Sequence, residues 1–167
     1  MQKSSFFNSN NGDRVYDAAD FASYFGQLVS NGVFYSTPGN LLTTAGSGMV
    51  ITVAPGSAWV NGYCYINTEP LELTLNTAHG SNPRIDRVVV RWSLVERSMY
   101  LAVLTGAPAA QPSAPQLTRT SDIYELGIAD ILVPAGAVSI PPMNITDTRT
   151  DTALCGLVNS LVAAVYQ

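Results

Sequence analysis

The chain has 167 residues and a net charge of −4, and only 12% of its residues are charged, against about 25% in ordinary globular domains. One lysine, Lys3, stands beside seven arginines, so the basic stripe that phosphate neutralisation requires is missing and no nucleic-acid partner is expected. No apolar run reaches the roughly 18 residues of a membrane span, and the N-terminus lacks a signal-peptide h-region, which predicts a cytoplasmic product without membrane insertion.

The length suits one domain with a short appendage. Residues 1–15 read as a polar arm with a turn at Asn10-Asn11-Gly12-Asp13 and paired Phe6 and Phe7. Residues 16–150 read as a β-rich body that begins with a helix. Asp17 is placed to cap that helix, with Asp20 in its first turn. Phe21, Phe25 and Leu28 share one face, and Asn31-Gly32 supplies the stop.

From Gly32 to about Ile140 the apolar period is two. Strands are predicted at 49–53, 58–66 (bent at Asn61-Gly62), 71–75, 85–94 and 99–104, the last two forming a hairpin. The segment 106–115 is rich in Pro and Ala and reads as a surface loop. Residues 123–133 fit a strand better than a helix, because Gly127 and the β-branched residues oppose a helix. Over 151–167 the spacing of Leu154, Leu157, Val158, Leu161, Val162 and Val165 predicts an amphipathic helix capped by Asp151. Leu154, Val158, Leu161 and Val165 fit a short oligomer seam, though the same stripe fits docking on the chain's own sheet. The fold class expected is mainly β: an antiparallel, sandwich-like body with a short N-terminal helix and a C-terminal amphipathic helix.

Charges inside a strand-like run demand partners, because an unpaired buried charge costs several kcal/mol. Arg84, Asp86, Arg87 and Arg91 lie in such a run. Asp130, Asp147 and Asp151 are the partners in view, and Asp147, Arg149 and Asp151 extend the network toward the terminal helix.

Reactive chemistry is sparse. The single histidine, His79, lies in a loop and has no triad pattern around it. Asp147 and Asp151 fit capping and ion pairing better than paired acid catalysis. Cys64 and Cys155 lie far apart, without metal-ligand spacing, and read as free buried thiols. No catalytic residue, metal or cofactor is expected. Trp59, Tyr63 and Tyr65 would share one face of a single strand, where they could contact a glycan or pack in a core or subunit interface.

One ordered set of motifs carries more information. It runs Asn31-Gly32-Val33, Gly56-Ser57-Ala58-Trp59-Val60-Asn61-Gly62, Arg84-Ile85-Asp86-Arg87, Pro115-Gln116-Leu117-Thr118-Arg119, Glu125-Leu126, Pro134-Ala135-Gly136, Asp147-Thr148-Arg149-Thr150-Asp151 and Cys155-Gly156. This order resembles the N-terminal attachment domain of tailed-bacteriophage tail-fibre and baseplate proteins found in many prophages of Gram-positive bacteria. The resemblance implies a non-enzymatic virion structural protein, located in the tail, forming a homotrimer and docked on other tail or baseplate proteins. It also implies that receptor-binding or enzymatic domains follow such a module. The alternative expectation is a carbohydrate-binding β-sandwich that recognises host-surface glycans.

Overall fold

The structure is a computed structural model that describes residues 4–162. The fold is mainly β, with antiparallel sheets and one α-helix among the described residues.

Helix α1 spans Ala18–Phe25. Its start follows from the sequence: the Asp17 carboxylate accepts from the Ala19 and Asp20 amides at 2.9 and 3.1 Å, and the Asp20 carboxylate accepts from the Asp17 amide at 3.1 Å. This reciprocal capping satisfies amides that the first turn leaves open. The helix ends at Gly26, before the expected Asn31-Gly32 stop. Its phenylalanines seat it only in part: Phe25 meets Trp59 edge-on at 5.8 Å. Phe21 and Phe25 remain 48% and 40% exposed, and Ala22 is the buried residue of the helix.

Among the described residues ten strands follow: β1 (Gly32–Val33), β2 (Thr43–Ala45), β3 (Val50–Val53), β4 (Gly56–Val60), β5 (Tyr63–Asn67), β6 (Leu71–Thr74), β7 (Arg84–Ser93), β8 (Ser98–Leu104), β9 (Ile123–Val133) and β10 (Ile145–Asp147). They form three sheets of order β1-β4-β5, β10-β9-β7-β8 and β2-β3-β6. One apolar cluster draws on all three. Val33, Val53, Val60, Val88, Val90 and Ile131 are fully buried in it.

The β7–β9 pairing organises the molecule. Alternation puts Val88, Val90 and Trp92 on the core face, opposite Ala129, Leu126 and Tyr124. Arg87, Val89 and Arg91 take the outer face, opposite Asp130, Gly127 and Glu125. This face is turned away from the apolar cluster. Val89 is nevertheless fully buried, because the chain between β8 and β9 lies across it. Arg87 Nη1 donates to the Pro115 carbonyl at 2.8 Å, and the Thr118 amide donates to Glu125 Oε2 at 2.7 Å. The segment expected as a plain surface loop is irregular as foreseen, yet its end works as a lid on buried charge.

Two segments, 58–66 and 151–162, fold differently from their local pattern. Residues 58–66 do not form one bent strand. They fold back as the β4–β5 hairpin through Asn61-Gly62, whose φ values of 51° and 85° suit a two-residue turn. The space there is closed by the helix: a Cβ on Gly62 would lie 2.0 Å from the Ala22 carbonyl oxygen.

The tail is not helical over 151–162. Asp151 starts a single turn, accepting from the Cys155 amide at 2.7 Å, and Gly156 then adopts φ 83°. That left-handed residue ends the turn as a helix C-cap would. The chain continues as an extended strap, in which Val33 donates to Gly156, Val158 to Val33, Ser30 to Asn159 and Leu161 to Leu28. These tertiary hydrogen bonds override the helical apolar spacing. Leu154, Val158 and Leu161 therefore do not share a helical seam, and Val165 lies outside the described residues.

Candidate functional site

Two constellations collect the chemistry-bearing residues. The first is a set of four ion pairs. Arg84 Nε donates to Asp86 at 2.9 Å, with both side chains almost fully buried. The Arg84 guanidinium also donates to the Thr77 and Asn76 carbonyls, and Asp86 accepts from the Gly106 amide at 2.8 Å. Arg87 pairs with Asp130 at 2.6 Å and Arg91 with Glu125 at 2.6 Å. Arg149 pairs with Asp147 at 2.6 Å and donates to the Pro38 and Asn40 carbonyls at 3.1 and 2.6 Å.

Each buried charge thus has the partner that its desolvation requires. The pairs are local rather than one network. They do not join the sheet to a terminal helix, because that helix is absent from 151–162. Arg149 instead ties the end of β10 to the loop before β2. Asp151 makes no ion pair among the described residues and accepts from the Ala153 amide at 2.8 Å. The Arg149 hydrogen bonds hold the Asp147 carboxyl below the usual aspartate range.

Glu125, fully buried, is the partner that sequence reasoning missed. Arg87 and Arg91 are four residues apart and share a face. Asp130 and Glu125 are five apart, which in a regular strand places them on opposite faces. A bulge between Val88 and Val89 in the pairing inserts one extra β9 residue and restores the match. Gly127, next to that bulge, was the available signal.

The second constellation is a groove of about 870 Å³ between β5, the β7–β8 turn and the start of α1. Tyr63, Tyr65, Trp92, Met99, Arg97 and Asp17 are among its lining residues. Tyr63 packs on Trp92 with ring centroids 5.6 Å apart. Trp59 is not part of it. In the hairpin register Trp59 opposes Cys64, whereas Tyr63 opposes Val60 and Tyr65 opposes Ala58. Opposed residues share a face, so Trp59 points away from the two tyrosines. It meets Phe25 and Phe34 edge-on at 5.8 and 6.3 Å. The single-face aromatic stripe of the sequence reading dissolves once the strand reverses, and Trp92 replaces Trp59.

The remaining candidates have structural roles. His79 Nδ1 accepts from the Ser81 and Asn82 amides at 3.2 and 3.0 Å, which shapes its loop. Cys155 is buried, and burial pushes its thiol up to about 12. Cys64 is exposed on β5 rather than buried. Among the described residues no three His, Cys, Asp or Glu side chains group as metal ligands, and no helix is long and apolar enough to cross a membrane. Comparison with protein-family models, with curated proteins and with solved structures finds no match to this chain.

Proposed function

We propose that the chain is a non-enzymatic structural module of a phage tail or baseplate, acting as a homotrimeric attachment unit in the virion tail. The observation that carries the reading is the ordered motif set, together with the work its residues do. Gly62 closes the turn under α1. Arg84 and Asp86 tie β7 to the carbonyls of Asn76 and Thr77 and to the Gly106 amide. Glu125 anchors the lid, Arg149 joins β10 to the loop before β2, and Gly156 releases the strap. The motifs that resemble the attachment domain are framework positions, which suits a part selected for shape and rigidity. In this reading the two smaller sheets back the four-stranded sheet as a sandwich-like body.

The test is immunogold labelling of tailed particles released from the source strain, with light scattering of the purified chain. Gold at the tail and a concentration-independent trimer are expected. Particles that lack the chain would remove the tail assignment, and a strict monomer would remove the trimer.

A second reading, a carbohydrate-binding module, is favoured by Tyr63 and Tyr65 lying in an open groove beside Arg97. Glycan-array binding that is lost in the Tyr63→Ala, Tyr65→Ala double variant would support it. An array without signal would end it.

A further inference from the structure

The groove runs along a strand edge that is left open. β5 is the outermost strand of its sheet. The direction of its free backbone groups follows from its partner. The Ser57 carbonyl accepts from the Phe34 amide at 3.0 Å, and the Ser57 amide donates to Asn40 Oδ1 at 2.7 Å, so both point away from β5. Ser57 opposes Ile66 in the register. Ile66 is therefore in a non-hydrogen-bonded pair, and its N–H and C=O point outward. Two residues earlier, Cys64 points the same way. Outside the sheet ladders, neither residue's backbone bonds to another backbone group among the described residues.

Open edges usually carry a charge, a proline or a bulge that discourages pairing. β5 reads Tyr-Cys-Tyr-Ile-Asn and has none of these. Of the other outer strands, β1 is already bonded to the strap through Val33, β2 does not border the groove, β10 carries Asp147 and β6 carries Glu72. β8 is uncharged, but only its first two residues, Ser98 and Met99, border the groove. Groove and undefended edge thus coincide at β5 alone. The charge in the groove is asymmetric. Asp17 is engaged in capping α1, whereas Arg97 has no ion pair among the described residues.

We propose that β5 accepts an extended peptide segment of a partner protein as an added strand. The Cys64 and Ile66 backbones supply the ladder, and alternate apolar side chains of the segment rest on Tyr63, Tyr65 and Met99. A carboxylate of the segment faces Arg97. A ladder of amides and carbonyls recognises an extended polypeptide by hydrogen bonding alone, and the flanking pockets select its side chains. The inference does not depend on the chain's origin in a phage tail.

The test uses the full chain and an N-acetylated, C-amidated seven-residue peptide alternating valine and threonine with a terminal aspartate, whose side chain is then its one carboxylate. Amide hydrogen exchange is read residue by residue by NMR. The peptide is expected to slow exchange at Cys64 and Ile66 saturably, by at least about tenfold. Ile66→Pro removes the outward N–H without touching a sheet hydrogen bond, so it is expected to fold and lose the peptide. If that variant does not fold, Cys64→Lys at the exposed neighbouring position is the second block and is expected to lose the peptide as well. No slowing up to millimolar peptide, or slowing confined to other amides, overturns the proposal. Protection of both amides without peptide that rises with protein concentration also overturns it, and gives the edge to a second copy of the chain. An asparagine-ended peptide that binds equally well overturns the role of Arg97.

Discussion

The β4–β5 hairpin and the β7–β9 pair solve the same problem by different means. From Gly56 to Asn67 the hairpin contains no charged residue, while β7 alone carries Arg84, Asp86, Arg87 and Arg91. The register of the hairpin is set by a two-residue turn, which needs only left-handed backbone at Asn61 and Gly62. The register of β7–β9 has no tight turn to set it, since 29 residues separate the strands. There the ion pairs select it: Arg87 with Asp130 and Arg91 with Glu125 align only if β9 is bulged between them. A slip of one residue would strand the fully buried Glu125 beside an apolar face. Charge specifies the central sheet, and turn geometry specifies the uncharged corner. The corner is left with an edge able to pair again.

The sharpest way to break this contrast is Asp86→Asn. It leaves Arg84, only 3% exposed, without its counter-charge. Breaking a buried pair by removing one partner costs about 3–5 kcal/mol, and chemical denaturation of the variant is expected to show a loss of that size. A loss under about 1 kcal/mol, the level of an exposed pair, would mean that the central sheet does not depend on its charges.

The corner should respond to backbone instead. Gly62→Ala places a side chain at φ 85° and against the Ala22 carbonyl. A non-glycine residue held in a left-handed conformation costs about 1–3 kcal/mol. The expected result is a smaller stability loss than for Asp86→Asn, with α1 displaced from Trp59, read as a change in tryptophan fluorescence. Unchanged stability and unchanged fluorescence would mean that the turn does not fix this corner.

These two positions also show what could be read from the sequence. Charge inside an apolar strand announces that partners exist, so the paired state of Arg84, Arg87 and Arg91 was legible. The identity of one partner was not, because a bulge changes the parity by which faces are counted. β9 was legible through its β-branched residues and Gly127. Asn61-Gly62 stands out in the sequence, but a turn and a bend have the same composition, and the choice between them moves Trp59 to the other face. The tail misled for a deeper reason. Its apolar residues fit a helical period, but a period describes one face of an isolated segment. The segment 157–161 instead meets the open backbone of 28–33, and Gly156 lets the chain leave the helical path. Hydrogen bonds to a distant stretch of chain do not show in local spacing.

The smallest effect is expected at the joint between the two regimes. Asp147 is 43% exposed in its side chain, while its partner Arg149 is buried and grips the Pro38 and Asn40 carbonyls. The Arg149 hydrogen bonds lower the Asp147 pKa in the folded state. A carboxylate that binds its proton less readily when folded contributes stability in full above its unfolded value, about 3.9. That contribution is lost as pH falls below this value and through the folded pKa. Asp147→Asn should therefore melt at a lower temperature than the parent chain at pH 7, and the two melting temperatures should converge as the solution is acidified past pH 4. Solvent screening at a half-exposed carboxylate keeps the gap smaller than for Asp86→Asn. A gap that stays constant with pH would mean that Asp147 acts through its shape alone. The charge-specified region would then end at β9, and Arg149 would be held at the joint by the two loop carbonyls.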